Sequence, residues 1–382
     1  QAATGVKPHN WTAQISESSV VTDVAILNRK TILCGGTLSA FCMQFDNPTG
    51  QLSAAVTLSW DQINAIVAVD EDLVVLGQWN GGSQYVIASF DLNAPSLNWG
   101  FKTFSYLAKF QAVALNEHIQ QIISVGYNDM RHVVAAAFSK TDGSLLWGNT
   151  YQIIGLNSYA LSVQSLYHNI GSYLAGYVVD VANNFKISIL LMAIDVFGTL
   201  TSVNILASSS SDGNMRAKRL AVDPNSNDAF IAGITFKASS EAVNALICRL
   251  KSSENSIVWV KEFSSSSKVQ FSDLLLSENS LFVIGFYQGF SNYEDLIIMR
   301  LGADSGDVEK STRISGPSSI LCNSLAEFEH GLRIACTVQE RATLFFLDRN
   351  TLAPGELPPG YAYHDDVASV VTVISSSGIS LA

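Results

Sequence analysis

The sequence predicts an all-β chain folded as a propeller of four-stranded antiparallel blades. Three observations carry that reading. A unit of about fifty residues recurs along the chain, its cleanest copy being ISVGYNDMRHVVAAAFSKTDGSLLWGNTY at 123–151, and several short strands at such a period mark a propeller. Runs of β-branched and aromatic residues are short and bounded by Gly, Asn, Asp and Ser, as strands are. No segment keeps an apolar 3.6-residue period for three turns between two caps, so no helix is expected.

Each copy reads as four strands, A to D in chain order. The first element, Asn10-Trp11-Thr12-Ala13-Gln14-Ile15, repeats the pattern of Asn98-Trp99-Gly100-Phe101-Lys102-Thr103. It is a D strand with no A, B or C ahead of it. Complete copies follow, and two markers keep step through them. B strands end near Gly36, Gly77, Gly126, Gly176, Gly233, Gly285 and, in the last copy, Cys336. C strands end at Phe45-Asp46, Phe90-Asp91, Phe138-Ser139, Ile194-Asp195, Leu250-Lys251, Leu301-Gly302 and Leu347-Asp348. Seven blades are expected, with eight as the alternative. Trp99, Trp147 and Trp259 open D strands, after turns such as Asn47-Pro48-Thr49-Gly50, Asp142-Gly143 and Asp195-Val196-Phe197-Gly198, which is hairpin chemistry. Sheets ranged round an axis bury both faces, which explains strands that are apolar yet short.

The tail breaks the pattern. Copy seven's own D strand would be GELPPGYAY at 355–363, a poor strand because proline donates no ladder hydrogen bond. Beyond it, Asp366–Ile374 reads as another A strand and Gly378–Ala382 as the start of a B strand. The organisation expected is an extension at 1–9, a propeller at 10–353 and a tail at 354–382. The N-terminal strand completes copy seven and leaves the tail surplus, or joins the tail in an eighth blade lacking its C strand. Either arrangement leaves an apolar segment or an open edge, and open edges invite pairing with another chain. The expected assembly contacts are Trp11, Ala13, Ile15, Val367, Val370, Val371, Val373, Ile374, Ile379 and Leu381.

Composition narrows the partners. Hydrophobic residues make up 48% of the 382, but no apolar run approaches the ~18–20 residues of a membrane span. Net charge is −11 and there is no Lys/Arg block, which argues against nucleic acid or an anionic membrane as partner, since both need clustered basic groups. A start at Gln1 suggests a mature product whose signal peptide has gone, or a trimmed chain. Asn10-Trp11-Thr12 is an N-glycosylation sequon, usable on a secretory route. Proline at the middle of Asn47-Pro48-Thr49 rules that one out. Cys34 and Cys42 flank one tight turn, and Cys322 and Cys336 flank a longer segment, so each pair can face across antiparallel strands and bridge. Cys248 is left over in the apolar run after Ala245-Leu246-Ile247 and reads as core. Five buried free thiols, suited to the cytosol, are the alternative. With the pairs formed, an extracellular or cell-surface location follows.

The D-x-A-x-x-V opening, V-x-G strand end and D-G-x-L-x-W turn resemble the extracellular seven-bladed propeller repeats of the SBBP or delta-60 type. The segment Ala137-Phe138-Ser139-Lys140-Thr141-Asp142-Gly143-Ser144-Leu145-Leu146-Trp147 is similar to the tryptophan-docking motif of quinoprotein-like propellers. The resemblance covers residues from about 10 to 382 and implies architecture rather than activity. A quinone enzyme of that superfamily would carry adjacent cysteines against its cofactor, and this chain has none.

Chemistry is sparse elsewhere. The histidines stand at 9, 118, 132, 168, 330 and 364, in or beside expected loops, without an H-x-x-x-H or H-x-H pair for metal. His364-Asp365-Asp366 reads as a solvated turn. Asp223, Asn225 and Asn227, and separately Asp304 and Asp307, place oxygen donors as calcium would need, although the same residues make ordinary turns. There is no G-x-S-x-G elbow, and neither Gly35-Gly36 nor Gly81-Gly82 is followed by a helix to hold phosphate. No catalytic residue and no cofactor are expected. The function expected is a non-enzymatic extracellular structural protein that self-associates by donating a terminal strand. The alternative is a monomeric propeller that binds a protein or glycan, and an enzyme with a site in the central channel ranks last.

Overall fold

The computed structural model describes residues 13–381 apart from 19, 28, 37–38, 48–50, 80–83, 93–95, 105–107, 168–170, 238–241, 266–267, 289–292, 330, 356, 366–370 and 376–378. Every regular element in it longer than one turn is a strand. Four antiparallel meanders come first: β2 (Val21–Leu27), β3 (Lys30–Gly36), β4 (Ala40–Asp46) and β5 (Leu52–Leu58), then β6 (Gln62–Val69), β7 (Asp72–Trp79), β8 (Gln84–Asp91) and β9 (Ser96–Phe104). Next are β10 (Lys109–Asn116), β11 (Gln121–Tyr127), β12 (Val133–Ser139) and β13 (Leu145–Tyr151), and β14 (Leu156–Ser165), β15 (Ser172–Asp180), β16 (Lys186–Ile194) and β17 (Leu200–Ser208). Two more runs are β18 (Gly213–Val222), β19 (Ala229–Lys237), β20 (Val243–Lys251) and β21 (Ser256–Ser264), and β22 (Lys268–Ser277), β23 (Ser280–Gln288), β24 (Glu294–Gly302) and β25 (Val308–Ser315). The last sheet has β26 (Ile320–Phe328), β27 (Gly331–Val338), β28 (Arg341–Asp348) and β1 (Ala13–Ser18), in the order β1-β28-β27-β26.

These sheets form an all-β propeller of four-stranded antiparallel blades. Each opening strand lies beside the opening strand of the next run, and β26 returns to β2, so the ring is closed. The expectation of seven separate blades needs correction. Five sheets stand alone as blades, while β18–β21 and β22–β25 share one ten-stranded sheet through the single parallel pair Val243↔Lys268. The apolar clusters sit between successive sheets: Ile32, Ile63, Leu73 and Val75 make one, and Phe230, Phe263, Phe271 and Val283 another. Strands buried on both faces need no alternation, and β27 is buried at every position.

The tryptophans act between blades. The Trp147 indole donates to Val196 O at 3.0 Å and lies over Gly198, in the hairpin turn of the next run. Trp259 likewise donates to Ala303 O at 3.1 Å and covers Gly306, and Trp99 covers Gly143. These three glycines have φ of +77°, +68° and +68°, and a Cβ on any of them would strike the indole within 2.8 Å. Only glycine meets both conditions.

The termini do not behave as one unit. Strand β1 pairs with β28, Ala13 opposite Leu344, and supplies the outer strand of the closing blade. The tail does not build an eighth blade. Its strands β29 (Ala362–His364), β30 (Thr372–Ser375) and β31 (Ile379–Leu381) run backwards round the ring and add to the outer edges of β25, β21 and β17. Each of these short segments pairs with the edge of an outer strand rather than with its neighbours in the tail. The tail is a belt.

Candidate functional site: the axial channel

Every opening strand carries a β-bulge at the same height. The register against the second strand slips by one at Thr22 in β2, Asn64 in β6, Gln111 in β10 and Leu161 in β14. It slips again at Lys218 in β18, Ser272 in β22 and Asn323 in β26. A bulge bends its strand, sharpens the local twist and re-aims one side chain. Here all of the bulged residues line one axial cavity of about 390 Å³.

The repeated glycine is the other half of this device. Gly35, Gly77, Gly126, Gly176, Gly233 and Gly285 each pair with the residue just before a bulge. A Cβ on Gly126 would lie 2.0 Å from the Lys109 carbonyl oxygen, and Gly285 would meet Gln270 O at the same distance. Gly35 holds this place in the first blade, one position before the expected Gly36. In the closing blade Cys336 stands there and is bonded to Cys322 directly opposite, with Cα atoms 3.9 Å apart. Cys34 and Cys42 form the second bridge, again across a facing pair. Cys248 is free and buried, and burial pushes its thiol up to about 12.

Polar groups tie the bulges into a hoop. Asn64 Nδ2 donates to Phe110 O at 2.8 Å in the next blade, and Asn323 Nδ2 donates to Val21 O across the closure. Asp23 accepts Val24 N at 2.9 Å and Ile66 N at 2.8 Å, and Asp273 accepts Leu274 N at 2.9 Å and Leu325 N at 2.7 Å. Each aspartate thereby holds the adjacent blade by its backbone. Arg219 Nε lies 3.2 Å from Asp273 Oδ1. Burial pushes the Asp273 carboxyl up to about 6 against the opposing pull of Arg219, and burial raises Asp23 as well.

Lys218 differs from its neighbours. It is water-accessible within the channel, yet the surrounding wall, with Arg216 and Arg219 close by, pulls its ammonium below the usual lysine range. Of the charged residues that line the cavity, Lys218 and Arg219 are both cations, and the rest of the wall is amide, hydroxyl or apolar. The arrangement is suited to binding.

The other expected site residues lie away from the channel. Asp223 caps its own turn, accepting Asn225 N and the Ser226 hydroxyl, while Asn227 Oδ1 accepts Tyr167 N. Asp304 pairs with Arg249 at 2.7 Å and Asp307 with Lys261 at 3.0 Å. No group of three His, Cys, Asp or Glu side chains suited to a metal ion occurs among the described residues. His364, expected in a turn, lies in β29 with Nε2 on the Ser315 hydroxyl, and Asp365 pairs with Lys310. Of the expected assembly contacts, Ala13 and Ile15 lie in β1, and Val371 is buried in the core between the runs β18–β21 and β22–β25. Val373 and Ile374 pair with Phe263 and Glu262, and Ile379 and Leu381 with Ser208 and Leu206. Asn10, Trp11, Val367 and Val370 lie outside the described residues. No helix among the described residues is long and apolar enough to cross a membrane.

Comparison with known proteins agrees at the level of fold. No family model matches the chain. No curated protein matches it either. Among solved structures, BamB from Moraxella catarrhalis is similar with a TM-score of 0.50 at 11% identity, covering 87% of this chain and 98% of that one. At that identity the likeness is one of fold, the β-propeller.

Proposed function

We propose that this chain is a non-enzymatic extracellular structural protein, a ring of seven blades closed by β1, which joins copies of itself by exchanging its C-terminal belt. Counting the ten-stranded sheet as two blades gives that number. The observation that carries the reading is the belt. Its strands are 3, 4 and 3 residues long, each lies on an outer edge, and none sits inside a blade. An element held by short edge ladders makes the same contacts on a neighbouring copy as on its own ring, which is domain swapping. The edges of β5, β9 and β13 meanwhile expose Leu52, Leu97 and Leu145 at 54%, 60% and 49%, in keeping with further contacts between copies. The two disulfides fit an oxidising location.

Size-exclusion chromatography with light scattering, followed by negative-stain microscopy, tests this reading over a range of concentrations. The full chain should give concentration-dependent assemblies and a chain ending at Ala353 should stay monomeric. A full chain that stays monomeric throughout sinks the proposal. A second reading, a propeller that binds a ligand as a monomer, is favoured by the polar, cationic channel.

A further inference from the structure

We propose that the axial channel binds a polyhydroxylated carboxylate, an acidic sugar of the uronate type. The argument starts from charge. The chain carries 33 acidic against 22 basic residues, yet the cavity wall holds Lys218 and Arg219 and no Asp or Glu. Arg219 is already engaged by Asp273. Lys218 makes no hydrogen bond or ion pair with any described residue. An ammonium that is partly desolvated beside two arginines gains most from an incoming anion, because a charge-assisted hydrogen bond strengthens as water is displaced.

The rest of the wall says what else the ligand must carry. Gln111 gives its amide N–H groups to Lys109 O and Phe110 O, and Asn323 gives its own to Val21 O. A carbonyl can only accept, so these contacts fix both amides with the nitrogen turned to the wall. The oxygens of Gln111 and Asn323 are left as acceptors, and the Gln270 amide makes no hydrogen bond among the described residues. Free acceptors beside the cation call for a ligand that donates as well as carrying charge, and hydroxyl groups do so. Phe286 and Leu161, both half-buried, add apolar surface to the same cavity, against which the C–H face of a sugar ring can lie. A volume of about 390 Å³ falls within the range of small-molecule sites.

Isothermal titration calorimetry on the full chain tests this, with galacturonate, a galacturonate trimer, galactose and acetate as probes. Galacturonate or its trimer should bind, galactose and acetate at least about tenfold more weakly, the size of one charge-assisted contact. The monomer-to-trimer ratio separates a free acid from the end of a glycan. Lys218→Met should weaken uronate binding about tenfold or more and leave any galactose binding unchanged, with an unaltered melting temperature. Gln270→Leu, a change that touches no hydrogen bond of the hoop, should weaken galacturonate and galactose alike, and serves if Lys218→Met fails to fold. No uronate binding up to millimolar concentration overturns the proposal. So does equal binding of acetate, or uronate binding that survives both substitutions.

Discussion

On one side of the ring the outer strands β17, β21 and β25 each pair with a piece of the chain's own tail, whereas on the other side β5, β9 and β13 gain no such partner among the described residues. The sequences of the two sets are of one kind, since all are fourth strands of the same repeat. Their burial differs. β5 and β13 show the same pattern of exposure, with only the last residue buried, while β21 and β25 bury residues in their middles. An outer strand is thus completed by whatever chain reaches its edge, and in this molecule the tail reaches only some of the edges. A repeat can be uniform in sequence and still present two unlike surfaces.

The largest test removes the strand both sides depend on. Deleting residues 13–18 unpairs β28 and opens the ring, and should abolish the cooperative thermal transition seen by calorimetry. A chain ending at Ala353 should keep that transition but lose hydrogen-exchange protection at β17, β21 and β25. Protection at β5, β9 and β13 should not change, and loss there would break the contrast. Replacing Cys322 and Cys336 together by Ala should cost about 2–4 kcal/mol by denaturant unfolding, and replacing Cys34 and Cys42 less, because they close a shorter loop.

Asp273 gives a pH test common to both sides. Its folded carboxyl titrates near 6, above its ordinary value of 3.8, so the folded state holds the proton more tightly. Stability from this group is present below pH 4 and falls as pH rises towards 6. Asp273→Asn should flatten that slope, equally in the full chain and in the chain ending at Ala353. The smallest effects lie on the edges. Val371→Ala, in a buried tail residue, should cost about 1–2 kcal/mol. Leu97→Ser, on a bare edge, should stay within about 0.5 kcal/mol.

Much of the fold was legible because its markers are local. Strand-ending glycines and both cysteine pairs each follow from short spacings that a hairpin enforces, and the tryptophans stand at a fixed place beside their hairpin turns. The channel was not legible, because its bulged positions hold Thr22, Asn64, Gln111, Leu161, Lys218, Ser272 and Asn323, six different residue types with only Asn recurring. Their one signal is indirect: each stands a nearly constant distance ahead of the strand-ending Gly, or of Cys336 in the closing blade. The belt was misread because Asp366–Ile374 looks like any opening strand by composition, and composition cannot say which edge a strand joins.

By itself, then, the sequence determined the strands and their hairpin order, because those depend on neighbours a few positions away. The tertiary structure alone decided which strand closes the ring, where the tail lies and which side chains meet on the axis. Those outcomes depend on edges and distances that exist only once all the blades stand round one centre. Lys218 is one polar residue among many in the chain, and only the closed ring sets it in a cavity wall without a carboxylate.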